Sequence, residues 1–201
     1  MISKGELNIY KALYLNKDGM YIREISRSTK LTLPAIVKHV NNGERIGTIY
    51  CKIKGRMKIC RVNFSNRKLL PILQEVELTR FSKIPETVQD SCYSFIGDLT
   101  EKPLTALIFG SYATGKYTKN SDFDVLLVFQ RIDNKLAKSI EFSAAKIKGR
   151  TGVNIQPVIL DYMEFQKELL DIENQFMKDI KKYALIIYGL DTYIDIIRRL
   201  L

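Results

Sequence analysis

Two short apolar runs, Leu104–Phe109 and Val125–Phe129, stand on either side of the segment GSYATGKYTKNSDFD. Each run is too short for an ordinary helix and is bounded by turn residues, so each reads as a buried strand. A chain with two such strands must build a sheet into a core. The composition supplies that core, with 46% hydrophobic and 27% charged residues, which excludes a largely disordered chain. A length of 201 residues allows one large domain or two small ones. No apolar run approaches the roughly 20 residues that span a bilayer, so no membrane partner is expected. The opening MISKGELNIYKALYLNKDG lacks an apolar stretch before a small-residue cleavage site. It reads as neither a secretory signal nor a transit peptide, and a cytoplasmic location is the expectation.

The segment between the strands carries the chemistry. Gly110-Ser111 follows the first strand at once, and Tyr112–Gly115 reads as the start of a short helix. Asp122 and Asp124 stand two residues apart where the second strand begins, a spacing that puts both carboxylates on one face. Like charges this close repel unless a cation lies between them. Mg²⁺ suits them, because it takes one or two carboxylates and fills its shell with water and phosphate oxygens. Gly110 lets a phosphate approach the backbone, and backbone N–H groups with the Ser111 hydroxyl can hold phosphate oxygens. Together these parts describe a metal–nucleotide site.

The same residues resemble the DNA polymerase β-type nucleotidyltransferase superfamily, whose signature is Gly-Ser, ten residues, then Asp-x-Asp. The subgroup of minimal nucleotidyltransferases often reads GSxAxGxxxxxSDxD, and GSYATGKYTKNSDFD fits it. The later segment FMKDIKKYALIIYG (176–189) resembles the C-terminal helix and strand of that subgroup, so the likeness spans about residues 100–190. The resemblance implies that Gly110, Ser111 and Ser121 bind the nucleotide, and that Asp122 and Asp124 hold Mg²⁺ as the catalytic carboxylates. It implies an NTP substrate, an acceptor hydroxyl that attacks the α-phosphate, and pyrophosphate as leaving group. The family usually places a third carboxylate on the next core strand, expected here at VNIQPVIL (153–160), after a helix over 134–148. Its position falls at Gln156 or at Asn154, both amides that accept no proton at neutral pH. Asp161 lies five residues beyond Gln156, about 17 Å along a strand.

The charge points to a second module. Residues 1–70 hold 15 Lys+Arg and 4 Asp+Glu, whereas residues 71–201 hold 17 and 18, so nearly the whole net charge of +10 lies in the first third. Helices are expected over 6–16 and 21–28. A third helix should follow the cap residue Thr32, with Pro34 in its first turn. Leu33, Ile36, Val37 and Val40 fall on one face of that helix, and Thr32, Ala35, Lys38, His39 and Asn42 on the other. After Gly47 the period becomes two. A hairpin turning at Gly55-Arg56 sets Ile49 opposite Val62 and Cys51 opposite Cys60. Three short helices and a basic hairpin resemble the winged helix-turn-helix family of DNA-binding domains, through the segment 23–49. The resemblance implies that Thr32, Ala35, Lys38, His39 and Asn42 face DNA bases and nearby phosphates. It assigns the hairpin contact to Lys52, Lys54, Arg56 and Lys58. Dimerisation is expected by analogy with winged-helix regulators.

The cysteines, Cys51, Cys60 and Cys92, have no CxxC spacing and are joined by a single histidine, which argues against structural zinc. Cys51 and Cys60 are expected as two small buried hydrophobes rather than a disulfide. Residues 64–103 should carry connecting helices, with Pro71 early in one and a second over 86–97. The expectation is thus an α+β chain in three parts. A winged helix-turn-helix occupies 1–66, connecting helices 67–100, and a nucleotidyltransferase fold with a small mixed sheet and flanking helices 101–201.

Two functions follow. One is a Mg²⁺-dependent enzyme that moves a nucleoside monophosphate to a macromolecule, which in the minimal family can be a partner toxin protein. The other is a DNA-binding regulator whose second domain only binds a nucleotide or a partner. A weaker third is an RNA-tailing enzyme whose basic module holds RNA.

Overall fold

The computed structural model describes residues 2–171 and 173–200. The chain forms two compact units, the first ending at Val76 and the second starting at Glu77.

The first unit runs α1 (Lys4–Leu15), β1 (Met20–Tyr21), α2 (Ile22–Thr29), α3 (Leu33–Ile46), β2 (Ile49–Lys54) and β3 (Met57–Val62). The Ser3 hydroxyl caps α1 by accepting the Glu6 N–H, and the Glu24 carboxylate accepts the Tyr21 N–H at the start of α2. The β2–β3 hairpin has the expected register, Ile49 opposite Val62 and Cys51 opposite Cys60. The two-residue β1 joins the other edge of β3, giving the order β1-β3-β2. Residue 21 was expected to be helical, but its backbone is extended and pairs with Ile59.

Two expectations for this unit are corrected. Cys51 and Cys60 form a disulfide rather than a pair of buried thiols, because the register sets them directly opposite. In α3, Ile36 and Val40 are fully buried, yet Leu33 and Val37 are 44% and 43% exposed. The helix docks along a narrow row, Ile36–Val40–Gly43, since a Cβ at Gly43 would run into Ile49. That close contact rotates Leu33 and Val37 out to solvent.

α4 (Leu69–Phe81) carries Pro71 in its first turn, where the missing N–H costs little. The second unit continues through α5 (Glu86–Asp98), β4 (Thr105–Ile108), α6 (Gly110–Thr114), β5 (Phe123–Phe129), α7 (Asn134–Thr151) and β6 (Ile155–Asp161). It ends with α8 (Tyr162–Leu170), α9 (Gln175–Tyr183), β7 (Leu185–Tyr188) and α10 (Leu190–Leu200). Its sheet has the order β6-β5-β4-β7, with β5 and β6 parallel and the other pairs antiparallel. The parallel pair needs a crossover, which α7 supplies. Asp133 caps α7 by accepting the Leu136 N–H, and Gly152 ends it in the left-handed region. Phe123, Val125, Leu127 and Phe129 share one core with apolar residues of α5 and α7. The chain is therefore α+β with small sheets. Among the described residues no helix is long and apolar enough to cross a membrane.

A buried ion pair anchors the C-terminal end of α9. Arg80 donates to Glu77 at 2.7 Å, to the Ala184 carbonyl at 2.9 Å and to the Tyr183 carbonyl at 2.6 Å. Both side chains are under 10% exposed. The guanidinium thus satisfies backbone acceptors that the helix end leaves open. Removing it takes away a buried partner of the Glu77 charge and of two carbonyls. Arg80→Ala should lower the stability of the second unit by about 3–5 kcal/mol, measured by urea denaturation.

Candidate functional site

The site is built where β4 ends and β5 begins. Their antiparallel pairing sets Ile108 opposite Val125, and the Phe109 N–H donates to the Asp124 carbonyl at 3.1 Å. The chain then turns at Gly110, which has φ +64°. A Cβ there would collide with the Asp124 carboxylate. Glycine is therefore required twice, by the backbone conformation and by the close approach. Ser111 follows, half-buried.

The connecting segment is held by local bonds. The Thr114 hydroxyl donates to the Gly110 carbonyl at 3.0 Å, and the Lys116 N–H to the Ser111 carbonyl at 2.9 Å. Tyr112 stacks on Tyr117 at 4.5 Å and meets Phe123 edge-on at 5.2 Å, tying the segment to β5. The Ser121 hydroxyl accepts the Thr118 N–H at 2.8 Å, so its visible work is to close the turn before Asp122.

Asp122 is exposed and Asp124 half-buried. Burial raises the Asp124 pKa, and the neighbouring Asp122 charge raises it further. The Asn154 amide donates to the Asp122 carboxylate at 2.6 Å. Gln156 lies directly opposite Asp124 in the parallel β5–β6 register. Both amides are thus placed beside the acidic pair. Asp161 sits opposite Phe129 at the other end of β6, where it caps α8 by accepting the Glu164 N–H. Among the described residues no cluster of three or more Asp, Glu, His or Cys could hold a metal. Two carboxylates are a donor set of the kind that a hard divalent cation accepts.

A cavity of about 470 Å³ adjoins this turn, walled by Phe109, Gly110 and Lys116 on one side and by α9 on the other. Sequence reasoning took α9 only as a family helix and missed its Phe176, Asp179 and Tyr183. Their 3–4 residue spacing marks one helix face and was legible in FMKDIKKY.

The nucleic-acid candidates of the first unit divide. Thr32, Lys38, Lys52, Lys54 and Arg56 are exposed. Thr32 stands at the cap position of α3 without a capping side-chain bond. Ala35, His39 and Asn42 are half-buried. His39 approaches Glu6 at 3.8 Å, and Asn42 accepts from Arg45 at 2.9 Å. Lys58 is paired with Glu44, and Lys52 lies over the Tyr50 ring at 5.6 Å. The exposed surface of α3 also carries Leu33 and Val37, read from the sequence as part of its apolar face, and Asn41 and Arg45, which the sequence had not singled out.

Residues 94–191 match the family model described as "Nucleotidyltransferase domain". The matched stretch contains Gly110, Ser111, Asp122 and Asp124. No curated protein and no solved structure was found to match the chain. The match supports a domain of the NTP-transferring type.

Proposed function

We propose that the second unit binds a Mg²⁺–NTP and transfers its nucleotidyl group to an acceptor hydroxyl on a macromolecule. The observation that carries this reading is the approach of Gly110 to Asp124, inside the segment that matches the nucleotidyltransferase model. Asp122 and Asp124 would hold Mg²⁺, which when bound supplies charge that stabilises the attacking and leaving oxygens. Gly110 lets the backbone come up against the Asp124 carboxylate, so that one phosphate could meet both, and the Ser111 hydroxyl donates to its oxygens. The Asn154 amide fixes the Asp122 carboxylate by its hydrogen bond. The acceptor hydroxyl attacks the α-phosphorus and gives up its proton to solvent water, the bond to the β-phosphate oxygen breaks, and pyrophosphate departs. A partner toxin protein is one such acceptor, on the resemblance to minimal nucleotidyltransferases.

A second reading has its own observation. Gln156 stands opposite Asp124, where an amide cannot accept the proton of the attacking hydroxyl. On this reading the domain binds nucleotide without turning it over, and the chain works as a regulator. The test is incorporation of label from each α-labelled NTP into macromolecules of a cell extract, with Mg²⁺. The enzyme reading predicts labelled bands that vanish in the Asp122→Asn/Asp124→Asn variant. It also predicts that Gln156→Glu, by adding a proton acceptor, raises the rate by about tenfold or more. No label from wild type, with NTP binding intact, would favour the regulator.

For the first unit we infer DNA binding. Support comes from the clustered positive charge and from the exposed Lys38, Lys52, Lys54 and Arg56, on a helix and an adjoining hairpin. Basic side chains against phosphates release counterions, so affinity should fall steeply with salt. Replacing Lys38, Lys54 and Arg56 by Ala should reduce the slope of log K against log salt by about 3. An unchanged slope in a filter-binding titration would count against this role.

A further inference from the structure

We propose that the cavity beside Gly110 is the nucleoside pocket of this site. Phe176 and Tyr183 are its aromatic walls, and Asp179 reads the base. The proposal rests on the nucleotide reading above and adds where the nucleoside lies and what selects it.

The cavity opens on the correct face of the sheet. Phe109 lies opposite Asp124 across the β4–β5 pair, and opposed residues project to the same side. The carboxylates and the cavity therefore share one face, with Gly110 bordering both. A volume of about 470 Å³ falls within the usual range for small-molecule sites.

The lining residues suit a nucleoside. α9 anchors itself in the core through Met177 and Ile180, both 1% exposed. Phe176 and Tyr183 are not needed for that anchoring, and each is 37% exposed. Phe176 meets Phe109 edge-to-face at 5.1 Å, which fixes its ring at the cavity wall. Every base has a π-face, so such rings bind nucleobases by stacking. The Arg80 guanidinium holds the carbonyls of Tyr183 and Ala184, so this end of the wall is rigid.

Charge sets the direction of the nucleotide. Lys116 is the cation on the Gly110 side of the cavity, and Asp179 is the anion on the α9 side. Of the charged residues that line the cavity, Lys116 attracts a triphosphate and Asp179 repels it, while Lys182 stands outside the lining over the Tyr183 ring at 5.0 Å. The phosphates therefore lie toward Gly110 and Lys116, which leaves the base against Phe176, Asp179 and Tyr183. An ionised carboxylate only accepts hydrogen bonds, and Asp179 already accepts one from the Gln175 amide at 3.4 Å. It therefore favours bases that present N–H donors. Guanine offers an adjacent ring N–H and amino group, whereas uracil offers one ring N–H. The pocket should prefer GTP to UTP.

The test is calorimetric titration of the full chain with GTP, UTP and inorganic tripolyphosphate, each with Mg²⁺. Phe176→Ala should weaken GTP about tenfold and leave tripolyphosphate unchanged. Asp179→Asn should bring the GTP and UTP affinities together. Both side chains are exposed, and thermal melts of the variants confirm folding. The proposal is overturned if Phe176→Ala and Tyr183→Ala each leave GTP affinity within about twofold while Asp122→Asn/Asp124→Asn abolishes it. In that case the nucleotide site stands and the nucleoside lies elsewhere. If wild type binds neither GTP nor tripolyphosphate, the nucleotide reading fails and this proposal with it.

Discussion

The antiparallel pairing of β4 with β5 is the constraint on which the second unit's chemistry depends. It sets Gly110, two residues beyond β4, against the carboxylate of Asp124, the second residue of β5. At that point there is no space for a Cβ, so Gly110 is fixed by its neighbour as much as by its own φ of +64°. Backbone and carboxylate come close enough to meet one ligand together. The parallel β5–β6 pair then adds Asn154 and Gln156 beside the acids. Asp122, Asp124, Asn154 and Gln156 thus all come from the starts of two adjacent strands, and rigid strands position groups better than loops do.

The electrostatics give this arrangement a direction. Asp124 is partly desolvated and faces a second carboxylate, and both effects raise its pKa. A neighbouring amide bonds Asp122 but brings no positive charge. The pair is therefore poised to gain from a divalent cation, and a bound triphosphate would complete that cation's shell. Gln156, an amide, stands opposite Asp124, where the resemblance leads one to expect a third carboxylate.

Much of this was legible in the sequence because the signals were local. The apolar runs placed β4 and β5, the period-two pattern placed the hairpin register, and Gly110-Ser111 with Asp122 and Asp124 singled out the candidate site. What the sequence hid depended on packing partners. The face of α3 was misjudged because Leu33 and Val37 fit the helical period as well as Ile36 and Val40 do. Only the tight contact of Gly43 with Ile49 decides which row is buried. The disulfide followed from a register that had been read correctly, and compartment reasoning pointed the other way. β1 is too short to show a period. The cavity escaped notice because its walls come from segments some 65 residues apart, around Gly110 and around Phe176.

The central claim is that Asp122 and Asp124 form one half of a metal–nucleotide site whose other half is the Gly110 turn. Equilibrium dialysis of a labelled NTP against the full chain, with and without Mg²⁺, tests it most directly. The account predicts saturable binding that requires Mg²⁺ and is lost when either aspartate becomes asparagine. Binding that is equally tight without the cation, or that survives both substitutions, would contradict it.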